Sequence, residues 1–291
     1  MGTAKTVLTT IAVLAAAAGL LALAIVYGGL YNVASTAQHT QPVYSVLEIA
    51  MRQSVRLRAR GIEAPDLEDE QRLRRGAGCF QAKCVQCHGA PGVAQNDIGK
   101  SMQPVPGPLV DARQRWQPRE LYWLTRHGIK MSGMPAWEFH MSDEDIWAVV
   151  AFLGRLPELT PRQYEEAVAF SMSPASLGPM AAQACSAASA AEAPLNAGVG
   201  DIRRGQRALY QYACNACHTI PGITGSRSNV GPPLTGIANR QLIGGKLANN
   251  QENMIRWLRH TRDVDPLTAM PQMNVSERDA RDMAAFLATL D

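Results

Sequence analysis

One pentapeptide occurs twice, as Cys-Val-Gln-Cys-His at 84–88 and as Cys-Asn-Ala-Cys-His at 214–218. Each copy sits in the same order of blocks. The first run reads LRRGAGCFQAKCVQCH, GPLV, WLTRHGIKMSGMPAW and SDEDIWAVVAFLGRL. The second reads IRRGQRALYQYACNACH, GPPL, MIRWLRHTRDVDPLTAMPQM and SERDARDMAAFLATL. Blocks that recur in one order imply one small domain built twice. The last block of each run opens with Ser followed three residues later by an acid, Ser142/Asp145 and Ser276/Asp279. That pattern is close to a capping box. Apolar residues follow at helical spacing: Ile146, Val149, Val150 and Leu153 in one, Met283, Phe286 and Leu287 in the other. Each copy is therefore expected to begin and end with a helix, and the fold class to be mainly α.

Composition narrows the function classes. Four of the six cysteines lie in the two pentapeptides, which argues against a disulfide-stapled scaffold. A net charge of +3 is too small to suggest nucleic-acid binding. Aromatics are only 6% of the chain, while Gly and Pro number 24 and 18. Loop-rich small domains with a non-protein core component would have that composition.

The pentapeptide itself names that component. In C-x-x-C-H two thiols bond the edge of a haem, and the adjacent histidine reaches the iron from one face. Zinc and redox sites also use C-x-x-C. A zinc site, however, needs two such pairs converging on one metal, whereas each copy here has its own domain frame. Two covalently attached haem c groups are expected.

The rest of the chain divides around the repeats. Thr6–Ala34 carries no charge and is long enough to span a bilayer. It is longer than the 7–15-residue core of a cleavable signal, although Ser35-Thr36-Ala37 leaves cleavage open. Tyr44–Ile62 places Val46, Leu47, Ile49, Ala50, Val55 and Leu57 near helical spacing with arginines between them. It reads as a solvated linker helix, or as one resting on anionic lipid or a partner. Ser171–Gly200 is rich in Ala, Ser, Gly and Pro and reads as an interdomain linker. Its Cys185 reads as an incidental thiol, with pairing to Cys79 left open. The expected division is a membrane anchor over 1–36, an amphipathic linker over 37–70, a first domain over 71–165, an Ala/Ser/Pro-rich linker over 166–200 and a second domain over 201–291.

Over roughly Arg74–Arg155 and Arg203–Leu290, each repeat resembles class I cytochrome c. The resemblance implies thioether bonds from Cys84, Cys87, Cys214 and Cys217, and iron ligation by His88 and His218. It implies Met134 and Met270, each before a proline, as the opposite ligands, with Met131 and Met273 as nearby rivals. In Gly107-Pro108 and Gly231-Pro232, the family's proline carbonyl accepts the N–H of the ligand histidine. That points to Pro108 and Pro232, while Pro106 and Pro233 leave the choice of carbonyl open. Trp123 and Trp257 are candidates to reach a haem propionate, or are plain core aromatics. Arg126 and Arg259 are further propionate candidates, or solvated. His127 and His260 are weak rival ligands.

A low-spin iron held by His and Met on opposite faces has no open position. The resemblance therefore implies an electron-transfer protein rather than an enzyme. It would be a one-electron relay on the periplasmic face of a bacterial inner membrane, held by its N-terminal anchor. Electrons would pass from a dehydrogenase or quinol-oxidising complex toward a terminal oxidase or soluble cytochrome. The partners implied are redox proteins and membrane lipid, with no nucleic acid and no small-molecule substrate. A dedicated cytochrome subunit of a periplasmic dehydrogenase is the alternative. A dihaem peroxidase is a third reading, against which both Met-Pro loops argue.

Overall fold

The computed structural model describes residues 2–171, 185, 200–225 and 230–291. Most of the expected 166–200 linker lies outside the described residues. The chain divides into two compact units, Met1–Ala190 and Ala191–Asp291, each mainly α-helical.

The first unit opens with α1, Gly2–Tyr27, which has no buried residue. At 1.5 Å per residue its 26 residues run about 39 Å, enough to cross a hydrocarbon core of about 30 Å. Among the described residues it is the one helix long and apolar enough to do so. Next comes α2, Gln41–Arg58, with Pro42 in its first turn. This stretch is not a free linker. Val55 and Ala59 are buried, and Arg52 lies 5.1 Å over the Trp116 ring.

The repeat proper starts at α3, Glu70–Lys83, capped by the Asp69 carboxylate on the Arg72 N–H. It runs into α4, Val85–His88, and is followed by the short turns α5, Asp97–Lys100, and α6, Ala112–Arg115. Two longer helices complete the repeat: α7, Pro118–His127, and α8, Asp143–Arg155. Ser142 and Asp145 form the anticipated capping box at the start of α8. The unit then continues into α9, Pro161–Ser171, beyond the boundary expected at 165. The reason is Tyr164. It is 2% exposed, its ring meets Phe80 and Phe152, and its hydroxyl donates to Gln81 at 2.6 Å. Burying an aromatic of that size makes α9 part of the core.

The crossing of α3 and α8 organises this core. Phe80, Ile146, Val149, Val150, Leu153 and Leu156 are all at most 3% exposed. A Cβ built on Gly76 would lie 2.0 Å from the Ala148 carbonyl oxygen, so only glycine lets the helices approach this closely. Beside the crossing, Arg75 donates to the fully buried Asp145 at 2.6 Å. Burial alone would raise the Asp145 pKa. Hydrogen bonds from Arg75 and Ser142 outweigh it and hold the carboxyl below the usual range. A depressed carboxyl stabilises the fold above its unfolded pKa, and that contribution is lost as pH falls through the folded value. Asp145→Asn should therefore cost on the order of 2 kcal/mol at pH 7. Denaturant titrations should show the gap from the native chain narrowing below about pH 4.

Cys79, on α3, forms a disulfide with Cys185, Cα to Cα 5.2 Å, and both are buried beside Asp145. The reading of Cys185 as an incidental thiol is thus replaced by a cross-link spanning 106 residues. The pairing is set by the burial of two sulfurs far apart in sequence, which no local pattern signals.

The second unit repeats the plan with fewer helices. It has α10, Ile202–Gln211, α11, Gln251–Arg259, α12, Thr261–Val264, and α13, Glu277–Leu287. Asp201 caps α10 and Ser276 caps α13. Gly205 stands where Gly76 stands in the first unit: its Cβ would lie 1.9 Å from the Asp282 carbonyl oxygen. Here Arg204 pairs with the buried Asp282 at 2.7 Å. The acid aligned with Asp145 is Asp279, which accepts instead from the Tyr212 hydroxyl at 2.9 Å. A two-stranded antiparallel hairpin, β1 Leu242–Ile243 and β2 Leu247–Ala248, turns through Gly244 and Gly245. Gly244 has φ +56°, and its Cβ would lie 2.5 Å from the buried Trp257 ring, so the turn roofs that indole.

Candidate functional site

Each pentapeptide follows the first helix of its repeat, α3 or α10, and its cysteines border the core. Cys84 is buried in the first unit, and Cys214 packs against the core of the second. In unit one the chain turns through α4, where His88 N–H and Cys87 N–H both return to the Cys84 carbonyl. In unit two the same two amides return to the Cys214 carbonyl, at 2.9 and 3.2 Å. Burial, aided by Cys87, pushes the Cys84 thiol up to about 12. Burial pushes Cys214 to about 11. Both are neutral thiols at pH 7.

The two histidines are held alike. The His88 Nδ1–H donates to the Gly107 carbonyl at 2.7 Å, and the His218 Nδ1–H to the Pro232 carbonyl at 2.8 Å. Each bond consumes Nδ1, orients the ring and leaves the Nε2 lone pair for a metal. Burial lowers the His88 pKa, favouring the neutral imidazole that a metal requires. Gly231 completes a cradle for the second ring: a Cβ there would lie 2.5 Å from His218 Cε1. On either side of that clamp, Gly231 N–H donates to Cys217 O at 2.8 Å and Leu234 N–H to Thr219 O at 2.9 Å.

The carbonyl expected at Pro108 is therefore Gly107's in the first unit, while Pro232 serves in the second. Aligned on Leu109 and Leu234, the two acceptors are equivalent, each two residues before the leucine. The shared GP pattern does not specify the acceptor, because it is fixed by loop position and not by residue type. Neighbouring carbonyls are also occupied. Gln95 takes that of Pro106, Arg115 that of Pro108 at 3.4 Å, and Arg240 that of Pro233. Arg115 and Arg240 each stand seven residues after the proline they bond, a matched spacing that sequence reasoning missed.

The methionine loops also match. Met134 N–H donates to the Ser132 hydroxyl and Met270 N–H to the Thr268 hydroxyl, both at 3.2 Å. A hydroxyl two residues upstream thus fixes each Met-Pro turn. In unit one, Gly128 at φ +66° lets the loop pass, since its Cβ would lie 2.6 Å from the Met134 carbonyl oxygen. Met134 and Met270 are half-buried, and Met270 packs on the second core. Their rivals point outward: Met131 is 95% exposed and Met273 42%.

Other candidates are placed less favourably. Trp257 is buried, but Trp123 is half-buried against His127. Arg126 is engaged by the Tyr122 hydroxyl, Asp143 and Glu138, and Arg259 pairs with Glu277 at 3.5 Å. Protein acids thus occupy both proposed propionate partners. His127 and His260 face Glu138 and Asp263.

Crossed helices joined by a glycine contact, a C-x-x-C-H turn with a clamped histidine and a Met-Pro loop define the c-type cytochrome domain, here built twice. Comparison with known proteins agrees. Residues 71–153 match the family described as cytochrome c oxidase, cbb3-type, subunit III, and residues 202–291 match the cytochrome c family. A stretch of 88 residues is 32% identical to cytochrome c oxidase subunit 2 of Alkalihalophilus pseudofirmus. That stretch is 30% of this chain and spans 25% of the relative's length. The chain carries two cytochrome c-type domains, which imply haem c binding and electron transfer.

Proposed function

We propose that this chain is a membrane-anchored one-electron relay holding two covalently bound haem c groups. Cys84, Cys87, Cys214 and Cys217 would tether them, with His88 and Met134 on one iron and His218 and Met270 on the other. The observation that carries this reading is the pair of half-buried histidines, each clamped through Nδ1 and each four residues after the first cysteine of its turn. The donor set fits the group: an imidazole nitrogen left free and a thioether loop held by its own hydroxyl turn. When bound, a haem with both faces ligated gains and loses one electron with little rearrangement. The protein's part is to keep His and Met in place.

Several observations support a place near a terminal oxidase, outside the cytoplasm. The first domain matches a family named for an oxidase subunit, and the relative is an oxidase subunit. A buried disulfide suits an oxidising compartment such as the periplasm, and α1 is suited to anchoring there. Electrons would enter from a dehydrogenase or quinol-oxidising complex. Mixing the reduced, purified chain with oxidase-containing membranes tests the direction. Rapid, cyanide-sensitive reoxidation is expected, and no reoxidation would overturn it. A dehydrogenase copurifying at one copy per chain would make the protein that enzyme's cytochrome subunit instead.

The methionine assignment is tested separately. Met270→Ala should open one iron position, giving one carbon monoxide bound per chain. Met273→Ala, at an exposed site, should bind none. Carbon monoxide difference spectra of the reduced chain distinguish the two.

A further inference from the structure

Helix α2 packs one face on the first unit and leaves an apolar stripe exposed on the other. Its inner face holds the buried Val55, with Ala59 just past the helix end, and the half-buried Ser45, Glu48, Met51 and Arg52. Turned away from these, at steps of three, four and seven residues, run Val43, Val46, Leu47, Ala50 and Leu57. Val46, Leu47 and Leu57 are 66%, 52% and 57% exposed. Arg58 and Arg60 are exposed and flank this outer stripe on opposite sides. The one acid of the helix, Glu48, belongs to the inner face, where it pairs with Arg52. An apolar stripe edged by arginines is the pattern of a helix lying in a membrane interface, with guanidinium groups reaching the headgroups. The bilayer is also the nearest available occupant: only residues 28–40 separate α1 from α2. That tether makes docking effectively intramolecular.

We propose that α2 lies flat in the headgroup zone of the membrane that holds α1, with its outer stripe among the acyl chains. This rests on reading α1 as a membrane anchor. The inner face packs on α7, where Arg56 reaches the buried Glu120 at 4.0 Å. The first haem domain would thus be seated on the lipid surface in one orientation instead of swinging on its tether.

A photo-crosslinking benzoylphenylalanine placed in the full chain, in native membranes, tests this at Leu47, at Leu14 within α1 and at the 94% exposed Leu267. All three side chains are exposed, so folding is undisturbed. Phospholipid adducts are expected at Leu47 with a yield within about threefold of Leu14 and about tenfold above Leu267. A protein adduct at Leu47 would overturn the proposal in favour of a partner subunit, and no adduct there would overturn it outright. In both cases lipid adducts at Leu14 would leave the anchor standing. Absence of lipid adducts at Leu14 would remove the anchor reading itself.

Discussion

Replacing Cys84 and Cys87 together by Ser should halve the haem that stays with the chain after denaturation. Each thioether bond needs a cysteine sulfur, and with both sulfurs gone a serine hydroxyl does not replace them. The remaining His88 would offer one iron ligand in a half-buried turn, which cannot retain haem once the fold is lost. The second unit has its own Cys214, Cys217 and His218 and its own core, so its haem should be untouched. Mass spectrometry of the denatured chain reads the result directly: two haems in the native protein, one in the variant. Two retained haems in the variant would show that the first pentapeptide is not the attachment site. The matching change at Cys214 and Cys217 should leave the other haem.

The second large effect concerns the helix crossing. Gly76→Ala should destabilise the first unit by about 3 kcal/mol or more, at or beyond the usual overpacking range. The new methyl would meet the Ala148 carbonyl at 2.0 Å and Phe152 Cβ at 2.8 Å. Backbone cannot rotate aside as a side-chain tip can, so α3 and α8 must separate and the core around Phe80 opens. Gly154→Ala, in the same unit, is the internal control. Its Cβ has no neighbour nearer than 3.6 Å, the flexible Arg113 side chain. Removing a helical glycine there should stabilise by up to about 1 kcal/mol. Urea unfolding of the holoprotein, followed at the first haem, should move in opposite directions for the two alanines. Equal midpoints would refute the crossing argument. Gly205→Ala should repeat the loss in the second unit.

Features written within a few neighbouring residues were legible from the sequence. Ser142 with Asp145, and Ser276 with Asp279, close caps across one helical turn, so spacing alone specifies them. The repeated C-x-x-C-H is likewise local: five residues contain the thiols, the histidine and the turn that joins them. The Met-Pro motif singled out Met134 and Met270, and its upstream hydroxyls lie only two residues away.

What only tertiary structure decided are the long-range choices. Gly107 rather than Pro108 accepts from His88, because the acceptor is whichever carbonyl the folded loop carries to the ring. Arg75 meets Asp145, yet the equivalent Arg204 meets Asp282 a helical turn later than its counterpart, because the partner depends on how each helix pair crosses. Tyr164 draws α9 into the first core, and Cys79 finds Cys185 across 106 residues. Local spacing thus specified the helix caps and the C-x-x-C-H turns. The packing of distant segments determined which carbonyl His88 meets, which acid Arg75 meets and which sulfur Cys79 meets, since those contacts exist only once the helices have closed on one another.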